Sequence, residues 1–214
     1  MAWDFAAQVH ALSGFDGDST DNTETGDTYR ELTAQWLTDA VKEVTNVLPP
    51  YLQKLCAAMQ VFTSKSIGSE TEVLNTGKIL SVFAGSYEAR AITNNLKYRA
   101  IDSDSIEYAT STDPVYYIES NKINVLPDNL LCRYEEIQYA SVAYDDSSIS
   151  IFPDEAEYLV VLRAAITAAE YLLAIEEDTE TYGPIILSLK QQYNEGIEAI
   201  SSGQLTKSRE REAE

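Results

Sequence analysis

The side chains that most often do enzyme chemistry are scarce in this 214-residue chain. It has one histidine, His10, and two cysteines, Cys56 and Cys132. A Ser-His-Asp relay would have to use His10, and no Gly-x-Ser-x-Gly turn accompanies it. The cysteines form no Cys-x-x-Cys pair and share no ligand spacing with His10, so the pattern predicts no zinc site. Two buried free thiols are the expectation. The stretch "DGDSTDNTETGD" invites a calcium loop, which needs Gly at its sixth position and a bidentate Glu at its twelfth. Counted from Asp16, those positions hold Asp21 and Asp27, so the segment reads as a solvated acidic loop. "NTGKIL" carries Gly77-Lys78 without the upstream glycines of a phosphate loop. Carboxylates are too abundant for any one pair to stand out as acid and nucleophile. No catalytic residue, cofactor or metal is expected.

The charge points away from whole classes of partner. Acidic residues outnumber basic ones by 35 to 15, for a net charge of -20. Phosphate backbones are held by clustered Lys and Arg, so such a chain repels DNA rather than gripping it. An anionic membrane surface offers it nothing. No apolar run reaches the ~18 residues that a transmembrane helix needs. The N-terminal stretch "MAWDFAAQVHALSGFD" lacks a basic n-region, so no signal peptide is expected.

The elements read as helices, then sheet, then helices. Met1 to Leu12 suits a short helix anchored by Trp3, Phe5 and Val9, followed by a Gly-, Ser- and Asp-rich loop over residues 13–27. Thr28 with Glu31 fits a capping box. Leu32, Trp36, Ala40, Val44 and Val47 recur at helical spacing until Pro49 and Pro50 stop the helix. "YLQKLCAAMQ" reads as a second short helix. The middle reads as strands: "ILSVFAG", "YEARAIT", "DSIEYATS", "PVYYIES", "KINVLP" and "CRYEEIQYASV". The clearest hairpin is "DPVYYIESNKINVLP", with Asn121 at its turn. Tyr116 and Tyr117 make it a candidate contact surface, because tyrosine suits interfaces as well as sheet faces.

The last third opens on the strand-like "SISIF", and Pro153 then starts a long helix ending near Glu176. Ala164, Ala165, Ala168 and Ala169 give it a small-residue strip, and Leu159, Val160, Leu162, Ile166, Leu172 and Ile175 cover its other sides. A helix apolar all round belongs at the centre of a bundle. "TYG" reads as a turn and Pro184 as the start of a final helix with the stripe Leu189, Tyr193, Ile197 and Ile200. The expected fold is α+β: a helical bundle from 1–60 and 150–202, a β-rich lobe over 61–149 inserted in it, and a polar tail over 203–214. That tail is expected to be disordered on its own. It holds Lys207, Arg209 and Arg211, the densest cationic cluster of the chain.

Three stretches in this order resemble the head-to-tail adaptor (connector) proteins of tailed bacteriophages. "YRELTAQWLTDAVKEVTNVLPP" is similar to the family's first helix, with Trp36, Leu37, Thr38 and Asp39 and a terminal proline, Pro49. "DPVYYIESNKINVLP" resembles its aromatic hairpin ending in a proline, Pro127 here. "FPDEAEYLVVLRAAITAAEYLL" resembles the Phe-Pro-acid entry into a long alanine-rich helix, and "LSLKQQYNEGIEAI" the closing helix. The acidic loop and larger β region depart from the smaller all-helical adaptors. The resemblance implies a virion protein without enzyme activity, assembled in the host cytoplasm. It implies a homo-oligomeric ring, usually of about twelve subunits, docked under the portal protein and joined to a downstream neck or tail protein. DNA would pass through its channel without specific binding. It also implies that the C-terminal segment, with Lys207, Arg209 and Arg211, reaches the portal. The alternatives are another neck or tail component, such as a tail terminator or head-completion protein, an acidic binding module, or an enzyme.

Overall fold

The computed structural model describes residues 3–15, 26–67 and 72–202. The fold is α+β, with helices at both ends of the chain and two sheets between them. The chain forms two compact units. One is helical and holds the described residues up to Cys56 and from Tyr139 onward; the other spans Ala57–Gln138. The boundaries thus fall at Ala57 and Gln138, not at 61 and 149. Ala57 already belongs to a strand, and Val142, Ile149 and Phe152 are buried anchors of the helical unit.

In the helical unit, α1 (Phe5–Ser13), α2 (Gly26–Val47) and α5 (Thr179–Ser201) all pack on α4 (Glu157–Glu176). α1 begins where the Asp4 carboxylate accepts the Ala7 N–H at 2.6 Å, and ends at Gly14 in the left-handed region (φ 75°). Phe5 and Val9 are buried, but Trp3 lies before the helix and is exposed. On α2 the buried residues are Thr33, Leu37, Ala40, Val41, Val44 and Thr45, with Leu48 just beyond its end; Ala40 and Val44 of the predicted stripe are among them, while Leu32 and Trp36 are half-buried. Val47 is exposed, and Thr28 lies inside the helix rather than at its cap. The Thr38 hydroxyl accepts the Val142 N–H at 3.1 Å, which ties the chain entering the last third to α2.

α4 runs from Glu157 to the predicted end at Glu176; Pro153 precedes a 3₁₀ turn over Asp154–Ala156 instead of starting the α-helix, and Ala164, Ala165, Ala168 and Ala169 are all fully buried. Within Asp154–Glu176 an 18-residue window reaches a mean hydropathy of 1.7, so, against the sequence expectation, this helix is long and apolar enough to cross a bilayer. Arg163 and Glu170 interrupt it, so no contiguous apolar stretch marks it in the sequence. Half of its most apolar window is buried in the bundle. Leu172 is only half-buried, and Ile175 is 58% exposed because the neighbouring helices no longer cover the last turn. The predicted strand before α4 is absent: Ile151 sits at φ 55°, which breaks an extended run, and the Glu157 carboxylate accepts the Ile149 N–H at 2.7 Å.

The α4–α5 turn is tighter than the sequence suggests. Glu177 takes the left-handed conformation, and the Asp178 carboxylate caps α5 by accepting the N–H groups of Glu180 and Thr181. "TYG" and Pro184 therefore lie within α5. Pro184 is exposed and sits early in the helix, where its missing N–H removes one bond to the Glu180 carbonyl. Gly196 lets α5 approach α4: a Cβ there would lie 2.6 Å from Leu159 Cδ2. Of the predicted stripe, Leu189, Tyr193 and Ile200 are buried; Ile197 is only half-buried, and Ile186 and Gly196 complete the buried face.

Between α2 and the strands, α3 (Pro50–Gln53) is a single turn followed by a 3₁₀ turn. The rest of the predicted second helix is strand β1 (Ala57–Thr63), all seven of whose residues pair antiparallel with β8 (Leu131–Ile137). Its Ala, Met and Gln residues are good helix formers, but pairing along a partner strand overrides that preference.

The first sheet of this β unit has the order β1-β8-β3-β4, with β3 at Ile79–Ala84 and β4 at Tyr87–Glu88. The second has the order β2-β7-β6-β5: β2 is Glu72–Val73, β5 Arg90–Ala91, β6 Val115–Glu119 and β7 Lys122–Leu126. β6 and β7 form the predicted hairpin, with Val115 opposite Leu126 and Glu119 opposite Lys122. Ser120 and Asn121 both take positive φ at its two-residue turn. The strand alternation divides the unit into three layers. Tyr116, Ile123 and Val125 face Val82, Cys132 and Tyr134 of the first sheet in one apolar cluster. Val115, Tyr117 and Leu126 point the other way, against Ala100 and Ala109. "DSIEYATS" is therefore not a strand. It belongs to a segment lying across the outer side of the second sheet. Its Asp102 and Ser105 side chains accept N–H groups two residues on, which favours turns over a ladder.

Candidate interaction surfaces

The residues singled out for catalysis do not gather. His10 is half-buried on α1, with its ring 5.9 Å from those of Phe15 and Tyr144. Cys56 lies in the helical unit and Cys132 in the β unit, so the two thiols belong to different cores. The Thr76-Gly77 N–H groups do have the geometry of an anion site, but the protein's own carboxylate fills it. Glu136 Oε1 accepts from Thr76 N at 2.6 Å and Gly77 N at 2.8 Å. Among the described residues no cluster of three or more His, Cys, Asp or Glu side chains is placed to hold a metal. The acidic segment over 16–25, and Lys207, Arg209 and Arg211, lie outside the described residues.

Burial pushes the Cys56 thiol up to about 11 from an ordinary 9.0, and burial also raises Cys132. Both thiols are thus neutral and sequestered near neutral pH. A disulfide-exchange reagent is expected to label the native protein at pH 8 at least ~100-fold more slowly than the denatured chain. Rapid labelling of either cysteine would mean that its core opens readily. The raised thiol also sets a sign. The unfolded chain releases this proton at lower pH than the folded one, so the contribution is intact below about 9 and is lost as pH rises toward about 11.

The hairpin tyrosines are not the free contact surface that the sequence suggests. Tyr117 is 2% exposed beneath the 92–113 segment, and Tyr116 is half-buried on the face turned to the first sheet. At these two positions β6 is covered on both faces, so neither ring is available as a whole. Two other surfaces of the β unit carry exposed apolar side chains.

The first is the outer face of the β1-β8-β3-β4 sheet. Alternation places Met59, Val61, Leu131 and Phe83 on the side away from the shared core, and all four are exposed. Arg133 stands at their centre, paired in register with Val61 on one side and Phe83 on the other. It makes no ion pair among the described residues; the nearby Glu135 instead accepts the Ser81 hydroxyl at 2.9 Å. Met59, Phe83, Arg133 and the Gly85-Ser86 turn line a shallow depression of about 420 Å³. Among the described residues β1 has no partner strand on its outer side, and it has no charged residue along its length.

The second is the 92–113 segment. Ala100 and Ala109 are buried, and Ala109 N–H donates to the Ala100 carbonyl at 2.8 Å, which closes the base of a loop. Lys97 bonds Glu119 at 2.7 Å, and Arg90 bonds Glu107 and Asp113, so both flanks are braced to strands. Turns follow one another between the two alanines, through Ser105 N–H to the Asp102 carbonyl and Tyr108 N–H to the Ser105 carbonyl. The loop presents Ile101 and Tyr108 as partly exposed side chains and Ile106 as a 97% exposed one. Ile106 and Tyr108 lie in "DSIEYATS", which reads as a strand because the sequence does not reveal the turn bonds.

No protein-family model matches the chain, and no curated protein shows significant similarity to it.

Proposed function

We propose that this chain is a structural virion protein: a head-to-tail adaptor whose ring docks under the portal of a tailed phage and lines part of the DNA channel. The observation that carries this reading is the interrupted bundle. Both ends of the chain pack around α4, an alanine-rich helix entered through Phe152, Pro153 and Asp154, with a β unit inserted between them. These elements follow one another in the order of the stretches that resemble the family. A stiff bundle sets subunit spacing, and an inserted lobe supplies a second contact surface. A protomer of charge -20, repeated around a channel, repels the DNA backbone and lets it slide. The partners are further copies of the chain, the portal, and a downstream neck or tail protein. The location is the virion neck, after assembly in the host cytoplasm.

The C-terminal segment with Lys207, Arg209 and Arg211 is the proposed portal contact, because arginine bridges carboxylates with paired hydrogen bonds. The test is a chain ending at Gly203, compared with the full chain in co-sedimentation with portal rings and in negative-stain images. The full chain is expected to bind as a ring at the portal base. The truncated chain is expected to melt like the parent and to lose portal binding. Rings on tail tubes would favour a tail terminator instead. Portal binding that survives truncation would move the contact to the β unit.

A further inference from the structure

The two exposed surfaces of the β unit lie on opposite sides of it. The second sheet sits in the middle layer. One of its faces packs on the inner side of the first sheet, and the other is covered by Ala100 and Ala109 of the 92–113 segment. The outer face of the first sheet and the Ile106 loop therefore point away from each other. Their chemistries are complementary. The loop tip is an apolar knob flanked by Asp102 and Asp104, two exposed carboxylates with no ion pair among the described residues. The sheet face is an apolar bed around Arg133, the one cation on its strands; Glu135 on the same face is engaged by the Ser81 hydroxyl, and Glu88 lies at the far edge opposite Phe83.

We infer that the Ile106 knob of one copy seats on the outer sheet face of the next. Ile106 packs among Met59, Val61 and Phe83, and Asp102 and Asp104 face Arg133. This contact rests on the ring proposed above for its closure and names the surfaces by which neighbouring subunits meet. The occupant is a second copy because the protein itself supplies both halves of the match. A partner carrying only an apolar socket would leave the sheet face uncovered. The loop is also built to act as a knob. A fully exposed isoleucine gains nothing in the isolated unit, yet the ion pairs of Lys97 and Arg90 and the buried Ala100–Ala109 closure hold its flanks in place. A preorganised knob loses little entropy when it docks. Because the two patches differ and face opposite ways, the contact is heterologous. Its repetition generates a ring or an open filament, never a closed two-fold dimer.

The test uses the full chain in sedimentation velocity over a range of concentration and salt, since added salt screens the repulsion between like-charged copies. The parent is expected to form oligomers larger than dimers. Ile106→Asp and Arg133→Glu are each expected to weaken association at least ~tenfold, with melting curves like the parent's, since both residues are exposed. The decisive sample mixes the two variants. Ile106→Asp keeps an intact bed and Arg133→Glu an intact knob, so the mixture is expected to give one-to-one dimers and nothing larger. Adding Asp104→Arg to Arg133→Glu is expected to restore part of the association. A parent that stays monomeric at every concentration and salt, an Ile106→Asp variant that assembles like the parent, or a mixture that stays monomeric would each overturn the proposal. A parent that assembles through these surfaces but does not bind portal rings would overturn the adaptor reading and leave this contact standing.

Discussion

Ala165→Glu is expected to abolish cooperative unfolding of the helical unit. Ala165 is 0% exposed at the middle of α4, within a strip of alanines that lets the neighbouring helices come close. A glutamate there has no room for its side chain and no cation to meet. Burying an unpaired carboxylate costs several kcal/mol, and the overpacking adds about 1–3 kcal/mol. The sum is comparable with the ~5–15 kcal/mol that holds a typical domain together. Leu162→Asp is expected to act the same way from another side of the helix. The control is Ile175→Glu on the last, uncovered turn of α4, which is expected to change stability by less than about 0.5 kcal/mol. Thermal unfolding followed by circular dichroism at 222 nm reads all three. A sigmoidal melt for Ala165→Glu within a few degrees of the parent would mean that α4 is not the centre of the bundle.

Glu136→Ala is expected to be the most damaging single truncation in the β unit. The carboxylate is fully buried on β8, and its Oε1 accepts from Thr76 N, Gly77 N and the Thr76 hydroxyl. Alanine leaves two backbone N–H groups without their acceptor and empties the space the side chain filled. A lost buried acceptor costs about 1–3 kcal/mol, and bonds to a charged group stand at the upper end of that range. We expect a loss of about 3 kcal/mol, confined to the unit that contains Cys132. Glu136→Gln keeps an oxygen in the Oε1 position and is expected to lose less than half as much. The rate at which Cys132 reacts with a thiol reagent in mild denaturant reports opening of this unit, while Cys56 reports the other. Equal Cys132 protection in Glu136→Ala and the parent would show that the 74–78 loop is held by other bonds.

The sequence reads correctly wherever the local pattern and the tertiary environment ask for the same thing. From Leu159 to Ala169, α4 buries every side chain except Arg163 and Thr167, so its apolar composition reports its place. The β6–β7 hairpin combines alternation on both strands with a turn that tolerates positive φ, and its register follows. The Leu189, Tyr193 and Ile200 stripe of α5 faces one neighbour along its length, so a simple period suffices. Free, buried cysteines follow from their spacing and from the thiol's preference for apolar surroundings.

Other features were decided by contacts between segments distant in sequence. Ala57–Gln60 has the composition of a helix and became strand because β8 offers a hydrogen-bonding edge along all seven residues of β1. The 104–111 stretch has the alternation of a strand and became a turn-built loop, because Asp102 and Ser105 capture its backbone and Ala100 and Ala109 dock on the second sheet. Tyr117 looked like a surface tyrosine until that loop covered it. Gly77 carries no phosphate-loop signal in the sequence, and only the fold brings Glu136, nearly sixty residues away, to its N–H. The charge, the class of fold and the central helix are properties of local composition and period, and those are written along the chain. Which apolar side chains remain exposed, and that they fall on opposite sides of one unit, depends on which faces the distant segments cover.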